Sequence, residues 1–317
     1  MDQRERIKLK AEAIVKRHKA YLKKKLNLND IPEDLPFIYW IPKLHNKPFS
    51  KQRFISASYK CSTKPLSALL TKCYSLIQKT HKQASNRYYQ SYGINPMWII
   101  DSSSEVQKII APNNRKKETK NVHTYDFSTL YMNIPHKLLK KEMAWVIKES
   151  FRLSKKKFIN VGSNQANWSV KPGKNTVDEK NLIHLTNWLI SNSFVTFGDK
   201  IFRQIVGIPM GTDCAPFLAN LFLFSLEFRW ILTQVKAKKF FLLKKFHHCS
   251  RYIDDLLLVN NDNVMKKVCE KMYPKELILV PDDFDGLSCT VSIYKWISKM
   301  ELLLLLFLIN GMLLIFL

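Results

Sequence analysis

The sequence predicts an α+β fold. Segments typical of helices and segments typical of strands follow one another irregularly, without the regular strand–helix repeat of a doubly wound sheet. The 317 residues are 46% hydrophobic, which is enough for a packed core, and aromatic residues make up 12% of the chain. This composition differs from that of a disordered basic tail, because disordered segments are poor in aromatic and apolar residues.

The first part of the chain predicts a helix followed by strands and a second helix. Residues 1–35 predict a basic helical extension that ends near Asn29 and Asp30, and they lack the apolar core of a signal peptide. Residues 37–58 predict strands and turns, because prolines punctuate a run of apolar and aromatic residues. Residues 62–80 predict a helix, with Ser and Thr before the apolar spacing and a proline in the first turn.

The middle of the chain alternates between strands and amphipathic helices. Residues 122–135 predict a strand that runs into a turn, and residues 136–151 predict a helix. Residues 152–180 are polar and rich in Gly, Asn and Lys, so we predict a long surface loop there. Residues 181–193 predict another helix, and residues 194–204 predict a hairpin that turns at a Gly-Asp pair.

The last folded segments surround two neighbouring acids. The glycine-bearing loop GIPMGTDCAP over 207–216 opens an apolar helix over 217–232. The stretch SRYIDDLLLVN over 250–260 predicts two short apolar strands that turn at Asp254 and Asp255. Adjacent carboxylates repel by about 4 kcal/mol at 4 Å and an effective dielectric of 20, so a shared proton, a protein cation or metal ions must offset the repulsion.

The charge of the chain predicts a polyanionic partner. The sequence has 51 Lys and Arg against 26 Asp and Glu, a net charge of +25. A foldable chain with this excess indicates nucleic acid, and the alternatives are an anionic membrane surface and a soluble protein that is merely basic. The six cysteines form no CxxC pair, which favours a reducing, intracellular setting in the nucleus or cytoplasm.

A third acid supports the metal interpretation of the acidic pair. Asp126 ends the apolar stretch VHTYD, far from Asp254 and Asp255 in sequence. Two strands of one sheet can present three such carboxylates to a pair of divalent cations, and Mg²⁺ prefers hard oxygen ligands of this kind. In isolation, a solvated turn acid and a hairpin Asp-Asp pair would be the ordinary alternative.

Four ordered motifs carry a resemblance to a known family. The stretches YDFSTLY, GIPMGTDCAPFLANLFLFSLE and RYIDDLLLV, with the upstream block PKLHNKP…KQRFISAS…STKPLSALL, resemble reverse transcriptases in the same order over about residues 36–290. The residues within these motifs are most similar to those of Penelope-like retroelements, whose enzymes resemble telomerase catalytic subunits. The resemblance implies fingers over 36–121 and a palm over 122–290, as in a right-hand polymerase.

The resemblance implies a role for each matching residue. It implies two Mg²⁺ or Mn²⁺ ions, held by three catalytic acids: Asp126, Asp254 and Asp255. It implies that the nucleotide is contacted by Lys43, Arg53, the Phe127 carbonyl, Tyr131, Gly207, Pro209, Met210 and Gly211. It implies that the primer end is contacted by Arg251 and Tyr252.

Several of these assignments have alternatives. Tyr131 matches the residue beneath the incoming sugar, where its ring would clash with a 2′-hydroxyl, but a core tyrosine would fit the same turn. Arg53 and Lys43 match cations that meet the triphosphate, or they are ordinary solvated charges. The downstream lysine that relatives carry has no unique match, since Lys271 and Lys275 both fit.

The resemblance stops where a thumb is expected. From residue 291 the chain is leucine-rich, with nine leucines among its last 16 residues, and we expect a coding artefact or a decayed end there. The run over 302–317 is slightly short for a membrane span, although its apolar character leaves a C-terminal anchor as an alternative.

The sequence therefore predicts an RNA-directed DNA polymerase of a retroelement, in a truncated copy. The expected partners are an RNA template, a DNA primer and deoxynucleoside triphosphates. Two alternatives remain, which are a non-catalytic nucleic-acid-binding remnant and a protein anchored in a membrane by 302–317.

Overall fold

The computed structural model has the mixed α+β architecture that the sequence predicts. It describes residues 4–28, 30–42, 52–102, 104–106, 108, 120–209 and 211–281. The chain divides into two compact units, each built from two separate stretches. Unit 1 comprises Met1–His81 and Tyr131–Phe222, and unit 2 comprises Lys82–Leu130 and Leu223–Leu317. These units are defined by contacts between residues, whereas the fingers over 36–121 and the palm over 122–290 are implied by the family resemblance. The boundaries of fingers and palm therefore stay a prediction.

The described strands form three sheets. In chain order they are β1 (Arg4–Ile7), β2 (Phe37–Pro42), β3 (Gln52–Ala57), β4 (Val122–Ser128), β5 (Phe158–Val161), β6 (Ala166–Ser169), β7 (Thr176–Asp178), β8 (Phe194–Phe197), β9 (Lys200–Gln204), β10 (His248–Tyr252), β11 (Asp255–Val259) and β12 (Ile278–Pro281). Unit 1 holds a five-stranded sheet of order β1-β9-β8-β2-β3 and a three-stranded sheet of order β6-β5-β7. Unit 2 holds a four-stranded sheet of order β10-β11-β4-β12.

The helices confirm the helical spacing of the sequence. In chain order they are α1 (Ala11–Leu26), α2 (Lys64–Tyr92), α3 (Leu130–Asn133), α4 (His136–Ser154), α5 (Glu179–Ser191), α6 (Ala215–Lys236), α7 (Phe240–Lys244) and α8 (Val264–Met272). The helix predicted over 62–80 is longer than expected: it ends at Tyr92, and Gly93 follows it. The Gly93 amide donates to the Tyr89 carbonyl at 2.7 Å, with a φ of 64° at the glycine, which is a common helix C-terminus.

The N-terminal segment over 4–26 packs within unit 1. The predicted helix is present as α1, but β1 precedes it and pairs antiparallel with β9 from Arg4 to Ile7. Ile14 and Val15 of α1 pack in a hydrophobic cluster with Leu35. The lysine content concealed this, because an amphipathic helix buries a narrow apolar face while its charges remain in solvent.

The surface loop predicted over 152–180 is wrong. The segment contains β5, β6 and β7, which pair antiparallel in one small sheet. One side chain in each strand is buried, namely Ile159, Ala166 and Val177. The Trp168 indole donates to the Thr80 hydroxyl at 2.8 Å, which ties the sheet to α2. The strands are only three or four residues long, so alternation was too short to see among the polar residues.

The predicted hairpins are confirmed. Strands β8 and β9 pair around Gly198, and strands β10 and β11 pair around a turn of Ile253 and Asp254, with Asp255 as the first residue of β11. Within the described residues, α6 is long and apolar enough to cross a membrane by length and composition. However, 67% of its most apolar window is buried, and core helices also pass this test. The leucine-rich tail and the anchor considered over 302–317 lie outside the described residues.

Candidate functional site

The central strands of the unit 2 sheet bring the predicted acids together. Strands β11 and β4 are antiparallel neighbours, and Asp255 lies directly opposite Asp126. Directly opposite residues of antiparallel strands share one face, with Cβ atoms about 4.5–5.5 Å apart. Asp254 precedes β11 in the hairpin turn, where its carbonyl accepts a hydrogen bond from the Phe127 amide at 3.2 Å. Asp126, Asp254 and Asp255 therefore lie at the same end of the sheet.

The turn that carries Asp254 is strained. Tyr252 pairs with Asp255, so Ile253 and Asp254 alone form the turn. Ile253 has a φ of 56°, in the left-handed region. This conformation costs roughly 1–2 kcal/mol for an L-residue and is rarest for β-branched side chains such as isoleucine. Strain of this kind persists where the surrounding structure imposes it, and such places are often functional sites.

The electrostatics of the acidic face favour a cation. Two carboxylates about 5 Å apart repel by about 3 kcal/mol at an effective dielectric of 20. Asp255 is only 2% exposed, whereas Asp126 and Asp254 are half-buried. Burial raises the pKa of Tyr252, and the charges of Asp255 and Asp254 raise this pKa further. Tyr252 is therefore close enough to Asp254 and Asp255 to be affected by their charges. Its contact with a primer end stays a prediction.

The acids fit a divalent cation in donor chemistry, and they do not form a complete ligand cage. Among the described residues, no three His, Cys, Asp or Glu side chains are grouped as metal ligands. Mg²⁺, however, is usually bound by one or two carboxylates together with water and substrate phosphates. The opposed pair Asp126 and Asp255, with Asp254 beside it, matches an open site that a phosphate substrate would complete.

Arg251 differs from its predicted role. Its guanidinium is fully buried and pairs with the equally buried Glu227 of α6, with Nε and Nη2 donating to the two carboxylate oxygens at 2.7 and 3.1 Å. A buried, ion-paired guanidinium does not reach a primer end, so the expected primer contact of its side chain is wrong. In an antiparallel strand, Arg251 points to the face opposite that of its neighbour Tyr252.

Glu227 is the functional candidate that sequence reasoning missed. It is the single acid of α6, a helix that is mostly apolar. The Tyr273 hydroxyl also donates to the Glu227 carboxylate at 3.1 Å, and the Tyr273 ring packs edge-on against Phe127. A lone acid on a buried, mostly apolar helix needs a cationic partner. The arginine in the apolar stretch RYIDDLLLV, Arg251, was the sequence signal that could have identified Glu227 as its partner.

Unit 1 brings together Tyr131 and the glycine loop. The Tyr131 carbonyl accepts a hydrogen bond from the Ile208 amide at 2.6 Å, and the Gly207 amide donates to the Ile134 carbonyl at 2.8 Å. Gly207 has a φ of 85°, and a Cβ there would lie 2.3 Å from the Tyr131 carbonyl oxygen. Only glycine fits this approach. The Tyr131 ring is 8% exposed, and its predicted contact with a sugar stays a prediction.

The other end of the same loop contacts β3, the strand that holds Arg53. Gly211 has a φ of 99°, and a Cβ there would lie 2.0 Å from the Ser56 carbonyl oxygen. The Ser58 hydroxyl donates to the Gly211 carbonyl. Pro209, between the two glycines, lines an apolar cavity of about 10 Å³, which is room for one water molecule and too small for a nucleotide.

Some predicted residues lie outside the described part of the chain. Lys43 and Met210 are outside it, as is the side chain of Arg53, whose main chain pairs with Ile41. Lys271 and Lys275 are both exposed in unit 2, so neither is favoured as the downstream lysine. The nucleotide-binding candidates that are described fall in unit 1, except Phe127, which lies with the acids in unit 2.

Comparison with solved structures shows that the fold is similar to that of telomerase. The telomerase of Candida albicans in complex with a TWJ fragment of telomeric RNA matches with a TM-score of 0.52 and 14% identity. The match covers 86% of this chain and 47% of that one. At this identity the likeness shows the fold alone, which is a telomerase-like reverse transcriptase fold.

The remaining comparisons set the limits of that assignment. Apo telomerase of Candida tropicalis, truncated from its C-terminal domain, matches with a TM-score of 0.46 and 13% identity. It covers 87% of this chain and 56% of that one, and at this TM-score it adds no argument. The chain spans about half the length of these telomerase chains. No protein-family model matches the sequence, and neither does any curated protein.

Proposed function

We propose that this chain is the fingers and palm region of an RNA-directed DNA polymerase, which adds deoxynucleotides to a DNA primer on an RNA template. The observation that carries the proposal is the opposition of Asp126 and Asp255 across neighbouring strands, with Asp254 in the turn beside them. The telomerase-like reverse transcriptase fold supports it. The order of the sequence motifs supports an origin in a Penelope-like retroelement.

The proposed site contains two Mg²⁺ or Mn²⁺ ions, with Asp126, Asp254 and Asp255 as the side chains that would hold them. Such ions, when bound, neutralise the triphosphate and lower the pKa of the attacking hydroxyl. The rigid pairing of β4 with β11 fixes the two opposed carboxylates before substrate arrives. Preorganised charge of this kind needs little rearrangement during the reaction.

The proposed partners follow from the charge of the chain. The net charge of +25 would neutralise phosphates of template and primer largely independently of sequence. We place the activity inside the cell, in the nucleus or cytoplasm, because RNA templates and deoxynucleoside triphosphates are found there.

Primer extension by the full chain tests the proposal. We expect extension of a DNA primer on RNA with Mg²⁺ or Mn²⁺, and its loss in Asp126→Asn and in Asp254→Asn. The amide keeps the shape and removes a ligand charge, so circular dichroism and the urea midpoint should stay unchanged. Asp199→Asn, an exposed turn acid of unit 1, is the matched control and should extend normally. Retained extension in both site variants rules out the site.

A second function rests on the net charge of +25, which favours binding to nucleic acid whether or not the acids act in catalysis. The chain would then be a non-catalytic nucleic-acid-binding remnant. The same assay separates the two functions. A parent chain that binds an RNA–DNA hybrid tightly and extends no primer with either metal supports the remnant and overturns the polymerase.

A further inference from the structure

The turn that carries Asp254 is held from behind by a buried ion pair. The third nitrogen of the Arg251 guanidinium, Nη1, donates to the Ile253 carbonyl at 2.9 Å. Ile253 is the residue with the left-handed φ, and its carbonyl is bonded to the nitrogen of Asp254. The contact therefore acts on the peptide unit that leads directly into the acid.

The position of Arg251 is fixed independently of its contact with the turn. Its amide donates to the Trp98 carbonyl at 2.6 Å, and its carbonyl accepts from the Ile100 amide at 3.0 Å. Glu227 engages the two other guanidinium nitrogens. With main chain and side chain both anchored, the one remaining guanidinium nitrogen has a defined direction, and it points at the Ile253 carbonyl.

Stability alone is a poor reason for this arrangement. A buried ion pair loses in desolvation about as much as it gains in attraction, and apolar residues of similar volume often serve as well or better. An apolar pair could not donate to the Ile253 carbonyl. The feature that only arginine supplies here is a bidentate contact with a carboxylate together with a third, separately directed donor.

We infer that Arg251, held by Glu227, is a positioning residue that fixes the strained Ile253–Asp254 turn and thereby the carboxylates at the end of the sheet. The inference rests on the proposed function. Arg251 touches no substrate in this role, and it acts through Asp254 and Asp255.

The kinetic test compares Arg251→Lys with Tyr273→Phe. Lysine keeps the charge and loses the directed donor to Ile253. Tyr273→Phe removes a different hydrogen bond to the same Glu227 carboxylate and leaves the turn contact intact. We expect Arg251→Lys to lower kcat at least tenfold with KM for the nucleotide within about twofold, and Tyr273→Phe to leave both within about twofold. Equal kcat losses in the two variants would overturn the inference, because the effect would then follow general destabilisation.

Two further measurements keep the inference open to test. If Arg251→Lys does not fold, Glu227→Gln, which keeps the shape of the carboxylate, is judged by the same split between kcat and KM. If the parent extends no primer, the proposed function fails, and hydrogen exchange still tests the turn. We expect amides of a peptide over 249–259 to exchange at least tenfold faster in Arg251→Lys than in Tyr273→Phe. Equal rates would overturn the inference.

Discussion

The two units of the chain position their candidate residues by different means. In unit 1, Tyr131 and the glycine loop meet through main-chain contacts, and the decisive requirement is the missing Cβ at Gly207 and Gly211. In unit 2, the acids sit on paired strands, and a buried ion pair between Arg251 and Glu227 holds their turn. A site formed by main-chain approach tolerates no added atom, whereas a site formed by charge can lose its charge while keeping its shape.

The largest expected effect is on the stability of unit 1. Gly207→Ala and Gly211→Ala would place a Cβ at 2.3 and 2.0 Å from a carbonyl oxygen. We expect each to lower the free energy of unfolding by about 4 kcal/mol or more, as steric disruption at a special backbone position does. Urea denaturation measures this loss.

Gly198→Ala is the matched control for both glycines. Gly198 has a φ of 59°, and nothing lies within 4 Å of the position a Cβ would take. Its cost should be that of the backbone conformation alone, about 1–2 kcal/mol. A loss in Gly207→Ala no larger than in Gly198→Ala would show that the loop can move away from Tyr131, and that main-chain contact does not define unit 1.

The next effect is a loss of stability in acid that is larger in unit 1. Burial lowers the pKa of His18 to about 4 and that of His81 to about 4. In the unfolded chain both take up a proton near pH 6.5, so the folded state binds fewer protons between these values. Stability is therefore full above pH 6.5 and is lost as the pH falls toward 4, by about 3 kcal/mol for each histidine.

Hydrogen exchange, followed separately in peptides of each unit and corrected for intrinsic rates, measures this difference. In unit 2, burial lowers the pKa of the half-buried His248 to about 4. We expect a smaller acid effect there, because this is one such histidine against the two of unit 1, His18 and His81. His81→Gln should flatten the pH dependence of unit 1, and the control His184→Gln, at an exposed site, should not. Equal acid sensitivity in the two histidine variants would contradict burial as the cause.

The same difference between the units explains how much the sequence could predict. The hairpin at the acids was predictable, because two short apolar strands separated by a two-residue turn are a local signal. The three catalytic candidates were predictable from motif order. Their exact register across β4 and β11 was not, since pairing between residues 129 apart depends on the whole sheet.

Other features depended on contacts that no local pattern contains. The burial of Arg251 depends on Glu227, which is 24 residues away on a mostly apolar helix. The sheet over 158–178 was taken for a loop because each strand buries only one side chain. The requirement for glycine at 211 comes from Ser56 on β3, which lies 155 residues earlier in the chain. A local sequence pattern predicts the helix or strand to which a residue belongs. It does not predict which other helix or strand that residue contacts, and these errors all concern such contacts.

A smaller effect concerns the choice of sugar and tests whether Tyr131 is more than a packing residue. We expect Tyr131→Ala to raise ribonucleotide incorporation relative to deoxynucleotide incorporation by about tenfold, the size typical of steric discrimination by one group. The main-chain contact of Tyr131 with Ile208 survives the change, so the loop should stay in place. Tyr131→Phe keeps the ring and should exclude ribonucleotides as the parent does. Unchanged selectivity in Tyr131→Ala would leave the tyrosine a core residue.

The smallest effect is expected to be the same in both units, because phosphate contacts depend on charge rather than on how a site is built. Exposed lysines occur on α1, at Lys23 and Lys24, and on α8, at Lys266 and Lys267. Affinity for an RNA–DNA hybrid should fall steeply with salt, by about 0.7–0.9 in log K per phosphate contact for each log unit of salt. Replacing either pair with glutamine should lower that slope by at most about 1.8, with little dependence on hybrid sequence. Fluorescence anisotropy over a salt series, with two hybrids of unrelated sequence, measures both slopes. If the affinity of the parent chain for the hybrid does not change with salt concentration, binding does not depend on phosphate contacts and this prediction is wrong. A change confined to the α1 pair would instead restrict the contacts to unit 1, and the basic surface would then follow the same division between the units as the two candidate sites.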